Sequence, residues 1–236
     1  MDSERLLLLD IDQTLAGGVK AAHLKYYNKH LGLAMTDDEI DYAEHNPDWR
    51  KTFDVPQIQD YRELGEEWEN VFQRTRAEIR TSPQVHLDLT ALPGSPDGVR
   101  QLLKNHTFGG YYTVRPSEVE GATKEWLAKH DFPDSERVVI CESPQDKLRK
   151  IVADWLVNTT HTVVLIDDSM TELIQAAEAL VEEDPEIKIQ LEKLVIVAFG
   201  PQKADLEGTF HLKTGLRTLK LPDWENTNLD TLQSQL

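Results

Sequence analysis

The chain has 236 residues and carries 25 Lys and Arg against 42 Asp and Glu, a formal net charge of −17, with 39% hydrophobic residues and one cysteine. This is the composition of a folded chain, and its sign opposes nonspecific nucleic-acid binding and docking on anionic lipid, both of which need clustered cations. One cysteine excludes an intramolecular disulfide and a Cys-rich metal site. No apolar run approaches the ~20 residues of a membrane span, and the acidic start Met-Asp-Ser-Glu-Arg does not resemble a signal peptide, so a reducing cytoplasm is the expected compartment.

The first element is an apolar run, Leu6–Leu9, ending at Asp10-Ile11-Asp12. From Val19 to Leu92 the pattern predicts no strand. Lys20–Leu31, Thr36–His45 and Gln59–Thr81 read as amphipathic helices, the second opened by a capping box of Thr36 and Glu39. Pro47, Pro56 and Pro83 punctuate the connections. Trp49, Phe53, Tyr61, Trp68 and Phe72 read as the core of a small helical unit, and Glu63, Glu66, Glu67 and Glu69 as a solvated face. Gly17-Gly18 is either a hinge into this stretch or an ordinary turn.

Beyond it strands alternate with helices. A helix over Pro96–Asn105, opened by Ser95, leads to the run Phe108–Tyr112, which ends at Thr113-Val114-Arg115. A helix over Ser117–His130, opened by Ser117 and Glu120, leads to Val138–Ile140 and Cys141. Next come a helix over Gln145–Val157, the run Val163–Ile166 ending at Asp167-Asp168, a helix over Ser169–Val181, and Leu194–Phe199 ending at Gly200-Pro201. The polar tail from Leu221 to Leu236 is expected to pack late or fray. Unbroken apolar runs suit strands buried on both faces, and their alternation with helices predicts βαβ units. The expected fold class is therefore α/β: a Rossmann-like parallel sheet core with helices on both faces, formed by residues 1–18 and 93–236, with a helical insertion over residues 19–92.

In an open parallel sheet, ligands bind beyond the carboxyl ends of the strands. Three runs end there in groups with chemistry: Asp10 with Asp12, Thr113, and Asp167 with Asp168. Asp37-Asp38 is a useful contrast, because it follows no apolar run and its charge suits a helix start. Two carboxylates leaving a buried strand repel unless a cation lies between them; the alternative is a pair of Asx-type turn caps. An all-oxygen set of this kind suits Mg²⁺. Zinc would want His or Cys, and the eight histidines, none at these strand ends, read as surface or packing residues. Cys141 reads as a small strand residue rather than a nucleophile.

Leu6–Leu15, with its Asp10-Ile-Asp12-Gln-Thr14, resembles the first motif of the haloacid dehalogenase-like hydrolase superfamily. Tyr112-Thr-Val-Arg-Pro116 resembles the second, Ser143-Pro-Gln-Asp-Lys147 the third, and Leu165-Ile-Asp-Asp-Ser-Met-Thr-Glu172 the fourth, all in family order. Val114 stands where many members place Gly. Members commonly carry a mobile cap after the first or second motif, and residues 19–92 match the first location as a helical cap domain. The resemblance implies a Mg²⁺-dependent phosphatase acting on a small phosphorylated metabolite. It makes Asp10 the nucleophile of an aspartyl-phosphate intermediate and Asp12 the acid and then the base. It assigns Asp10, Asp12, Asp167 and Asp168 to the metal, Asp12 through its carbonyl, and Thr113 and Lys147 to the phosphoryl group. Lys150, one helical turn on, competes with Lys147; Arg115 either touches substrate or pairs locally; Glu172 is a candidate for orienting the metal ligands. An acid at position 12 favours phosphoester hydrolysis. A phosphomutase of the same superfamily and a phosphate-binding regulatory protein are the alternative readings.

Overall fold

Four consecutive leucines stay out of water only if both faces of their strand are covered. The computed structural model, which describes residues 5–44, 66–200, 213–225 and 229–235, provides that cover. Strand β1 (Arg5–Leu9) leads through a tight turn into β2 (Ala16–Gly17). Helices α1 (Val19–Leu31), α2 (Asp37–Glu44), α3 (Glu66–Thr81) and α4 (Pro83–Leu87) follow, and then β3 (Thr90–Ala91). β2 and β3 pair antiparallel, Ala16 opposite Ala91 and Gly17 opposite Thr90, so the chain departs for α1 and returns from α4 at one place. The remainder alternates: α5 (Ser95–Leu102), β4 (Thr107–Thr113), α6 (Glu120–Lys129), β5 (Val138–Ile140), α7 (Pro144–Ile151), β6 (Thr162–Asp167), α8 (Met170–Glu183), α9 (Ile187–Leu191), β7 (Leu194–Phe199), β8 (Arg217–Leu221) and α10 (Leu229–Gln235).

Six strands form one sheet in the order β5-β4-β1-β6-β7-β8, with every neighbouring pair parallel. Counted along the chain within the sheet, this is the 3-2-1-4-5-6 order of a doubly wound fold, and the order reverses between β1 and β6. Side chains alternate across the sheet. Leu7 and Leu9 join Val99 and Leu102 of α5 and Trp126 and Leu127 of α6 on one face. Leu6 and Leu8 join Leu148 and Ile151 of α7 and Leu173 and Leu180 of α8 on the other. Burial on both faces, worth about 25 cal/mol per Å² of apolar surface, fixes where each strand ends. Gly109 lets β4 lie close against β1: a Cβ there would come within 2.4 Å of the Leu8 side chain, and the register skips a residue between Leu7 and Leu8. Leu24, Tyr27, Leu33, Met35 and Ile40 form a separate cluster within the α1–α3 region, with Phe72 stacked on Tyr27 at 5.7 Å.

Local signals are met unevenly. The capping box of α2 forms, Glu39 N donating to Thr36 Oγ1 at 3.3 Å and Thr36 N to Glu39 Oε2 at 2.7 Å. Ser95 does not cap α5: Gly94, in the left-handed region at φ 75°, precedes the helix, and the Ser95 hydroxyl donates to Leu92 O. Ser117 opens a short 3₁₀ turn rather than a capping box, and α6 begins at Glu120. The helix predicted to reach Val157 changes after Ile151 into a π-helical turn, Val152–Leu156. The two-residue strands β2 and β3 and the polar strand β8 carry too little apolar pattern to be predicted. Of the two outcomes expected for the polar tail, its described residues pack: Trp224, Leu229 and Leu232 are buried, and Trp224 Nε1 donates to Thr14 O at 2.7 Å. His45, Pro47, Trp49, Phe53, Pro56, Tyr61, Glu63 and the Gln59 end of the predicted third helix lie outside the described residues, as do the side chains of Glu66, Glu67 and Trp68. No helix of the described residues is long and apolar enough to cross a membrane.

Candidate active site

The reversal in strand order parts the loops that follow β1 and β6, which opens a crevice at the carboxyl edge of the sheet. Asp10 immediately follows β1, its N–H donating to Ile166 O at 2.9 Å. Asp167 is the last residue of β6, and Asp168 comes next. One oxygen from each of these three carboxylates lies within 4.8 Å of the others. Lys147 projects from the first turn of α7, which Ser143 caps by accepting from Asp146 N at 3.1 Å. The Lys147 Nζ stands 2.7 Å from Asp10 Oδ1 and 2.7 Å from Asp167 Oδ2, and all three side chains are buried. Lys150 turns elsewhere, to Ile140 O and Asp146. Asp167 Oδ1 accepts from Ser169 N at 2.7 Å, and Asp168 N donates to Thr14 Oγ1 at 3.1 Å, so the loops after β1 and β6 hold each other.

The Asp12 carboxylate does not join this cluster. It receives the Arg115 guanidinium, with Nε at 3.2 and 3.0 Å from the two carboxylate oxygens and Nη2 at 2.5 Å from Oδ1. Arg115 is itself buried, donates through Nη1 to Thr123 Oγ1 at 3.1 Å, and lies 5.8 Å over the Trp126 ring. Between Asp12 and Thr14 the chain turns through Gln13 at φ 59°, a left-handed conformation that costs a non-glycine residue about 1–3 kcal/mol. Thr113 is buried at the end of β4, its hydroxyl accepting from Arg115 N at 3.4 Å. Glu172 is exposed on α8 and bonds to none of these residues.

The chain resembles a hydrolase of the haloacid dehalogenase-like family from Streptococcus pneumoniae, at 15% identity and a TM-score of 0.53 over 100% of both chains. It also resembles a HAD-superfamily hydrolase, subfamily IA, variant 1, from Geobacter sulfurreducens, at 13% identity and 0.53 over 97% of this chain and 96% of that one. A conserved haloacid dehalogenase-like protein of unknown function from Agrobacterium tumefaciens gives 12% identity and 0.51 over 98% and 97%. The chain has the haloacid dehalogenase-like fold. No family model and no curated protein matches its sequence.

Within this fold the electrostatics of the crevice follow from crowding. Burial pushes the Asp10 carboxyl well above its ordinary value; Lys147 opposes the shift, and Asp167 and Asp168 add to it. Burial by itself would lower Lys147, but Asp10 and Asp167 outweigh it and hold the ammonium above its ordinary value. Burial likewise acts to raise Asp12, and the charge and hydrogen bonds of Arg115 outweigh it, so this carboxyl is held low and ionised. Lys147 thus pairs with two of three clustered carboxylates. Such a surplus of hard oxygen donors fits a hard divalent cation such as Mg²⁺. Cys141, immediately after β5, is buried, and burial pushes its thiol up to about 11.

Beside Asp12 lies a cavity of about 170 Å³. Arg115, His23 of α1, Arg76 and Arg80 of α3, and His86 of α4 line it, with apolar surface from Ile79, Val85 and Leu89. The sequence reads the histidines as surface or packing residues and does not single out Arg76 or Arg80. The one available signal was their i, i+4 spacing, which puts both on one face of a helix. A larger depression of about 500 Å³, lined by Phe132, Asp134 and Arg137, lies at the amino end of β5, on the opposite edge of the sheet from the carboxylates.

Proposed function

We propose that the chain is a Mg²⁺-dependent phosphomonoester hydrolase that passes the phosphoryl group of a small phosphorylated metabolite to Asp10 and then to water. The observation that carries this reading is the position of Lys147, at 2.7 Å from both Asp10 and Asp167 with Asp168 beside them. A purely structural ion pair needs no third carboxylate; a site that takes a divalent cation and a phosphate dianion does. The shared fold with the S. pneumoniae and G. sulfurreducens hydrolases supports the same reading. In this proposal residues 1–18 and 93–236 form the catalytic core and residues 19–92 the cap.

Mg²⁺ would be held by Asp10, Asp167 and Asp168, with the Asp12 carbonyl, and when bound it supplies positive charge opposite the phosphoryl oxygens. The remaining chemistry belongs to the chain's own residues. An Asp10 carboxylate oxygen attacks phosphorus; the Asp10 O–P bond forms as the ester P–O bond breaks. The Lys147 ammonium offsets the meeting of two anions, and the Thr113 hydroxyl donates to a phosphoryl oxygen. Asp12 gives its proton to the departing oxygen, the nearby phosphate dianion having raised its carboxyl against the pull of Arg115. Ionised again, Asp12 takes a proton from water, whose oxygen attacks phosphorus, releases inorganic phosphate and restores Asp10. An aryl phosphate assayed with Mg²⁺ tests this: phosphate release is expected, and Asp10→Asn is expected to fall below about 10⁻³ of the native rate. Undiminished release from the Asn variant removes Asp10 from the mechanism and the proposal with it.

A further inference from the structure

We infer that the cavity beside Asp12 is an oxyanion subsite for the leaving group, so that the preferred substrate is a short phosphomonoester whose alcohol carries a second negatively charged group. This rests on the phosphatase reading in one respect: Asp12, as the residue that protonates the departing oxygen, marks the side on which the alcohol lies.

The first argument is charge. The whole chain has a net charge of −17, yet this cavity is lined by Arg76, Arg80, Arg115, His23 and His86, with Asp12 as its acidic member. Asp12 is already matched by Arg115. Neither Arg76 nor Arg80 forms an ion pair with any described carboxylate, and the hydrogen bond of the Arg80 guanidinium goes to a backbone carbonyl, Val114 O at 3.3 Å. Local cations of this kind set the sign of a pocket whatever the net charge around it.

The second argument is an unsatisfied atom. His86 is buried, and its Nε2 donates to Arg80 O at 2.9 Å, while its Nδ1 is buried without a hydrogen-bond partner. A buried polar nitrogen left unpaired is destabilising, so a ligand or ordered water that bonds to Nδ1 supplies what the protein leaves unmet. Nδ1 accepts from a ligand hydroxyl when the ring is neutral and donates to an oxyanion when it is protonated.

The third argument is size. At about 170 Å³ the cavity is below the ~300–1,000 Å³ of pockets that take drug-sized ligands. It suits a short carbon chain against Ile79, Val85 and Leu89 with one charged end. Arg76 and Arg80 stand on the same face of α3, one turn apart, and both line the cavity, a spacing that suits two cations to one oxyanion.

The test compares three phosphomonoesters of short-chain alcohols: one bearing a carboxylate, one bearing a second phosphate, and one bearing only a hydroxyl. With the native chain, kcat/KM is expected to favour an anionic ester over the uncharged one by about tenfold or more, as charge-assisted hydrogen bonds imply. Which anionic ester leads identifies the oxyanion. In Arg76→Gln and Arg80→Gln the preference is expected to shrink to within about threefold, in variants whose melting confirms a folded chain. Equal use of all three esters by the native chain, or a preference that survives both substitutions, overturns the inference. If none of the three is hydrolysed, the phosphatase reading fails separately. Calorimetric titration of the native chain with a short hydroxy carboxylate and a short alkyl phosphate then decides: binding lost in the two variants upholds the subsite, and binding absent or unchanged overturns it.

Discussion

Arg115 and Asp12, 103 positions apart in the chain, are joined through Nε and Nη2 of the guanidinium at 2.5–3.2 Å. The sequence left Arg115 with two roles, substrate contact or local pairing. The ion pair shows the side chain committed to the residue proposed as acid and base. In that proposal Arg115 acts as a positioning residue, and Thr123 and Trp126 hold it from behind.

Arg115→Met keeps the apolar stem of the side chain and removes its charge. Loss of hydrogen bonds between charged groups is expected to lower stability by about 1–3 kcal/mol. The sign of its pH dependence follows from Asp12, whose folded carboxyl lies below its ordinary 3.8. A lowered acid contributes stability above its unfolded value and loses it as pH falls through the folded one. The gap between native and variant in urea unfolding is therefore expected to be full at neutral pH and to shrink below pH 3.8. A gap that does not change with pH would show that the ion pair contributes nothing.

Magnesium is expected to raise the melting temperature of the native chain. At a hundredfold excess over Kd the gain is about 2.7 kcal/mol, or roughly 5–10 °C for a chain of this size. Asp167→Asn is expected to abolish most of this shift. Lys147→Gln leaves Asp10 and Asp167 facing each other without their shared ammonium, so it is expected to melt lower in chelator and to gain more from magnesium than the native chain does. Differential scanning fluorimetry with and without MgCl₂ reads both effects.

Cys141 is expected to resist alkylation in the folded chain. Burial pushes its thiol from 9.0 to about 11, so little thiolate exists near pH 8 and the sulfur is out of contact with solvent. The raised value favours the folded state below pH 9.0, and that contribution disappears as pH climbs through about 11. Iodoacetamide labelling followed by mass spectrometry should show modification in denaturant and almost none without it. Rapid labelling of the folded chain would contradict the buried placement.

Trp224 packs over Gly98, where a Cβ would come within 2.6 Å of its ring, and bonds to Thr14 O in the turn that carries Asp12. Gly98→Ala is expected to displace that ring, at a cost of about 1–3 kcal/mol. Trp224→Phe keeps much of the packing but leaves Thr14 O without its donor, with an expected loss of about 1–3 kcal/mol. Both should lower the urea midpoint, and Trp224→Phe should also lower kcat with an alkyl phosphate, because the turn that aims Asp12 is loosened. Unchanged stability in both variants would detach the C-terminal segment from the site.

Much of the architecture was legible along the chain, because burial on both faces demands unbroken apolar runs and Leu6–Leu9, Val163–Ile166 and Leu194–Phe199 supply them. The strand-end acids were legible for the same reason: polar residues that interrupt such a run mark where the sheet stops. The C-terminal segment leaves packing and fraying both open in the sequence because Arg217–Leu221 and the residues after it are mostly polar, and only the sheet edge and the groove over Gly98 give Leu221 and Trp224 somewhere to bury. Composition and pattern alone determined the α/β core and the identity of the acids at its carboxyl edge. The tertiary structure alone decided that Lys147 rather than Lys150 reaches Asp10, that Arg115 belongs to Asp12, and that Arg76, Arg80 and His86 meet in one cavity. Burial leaves a periodic trace along one segment, whereas a meeting between charges from different segments depends on how helices lie across the sheet, and no single segment records that.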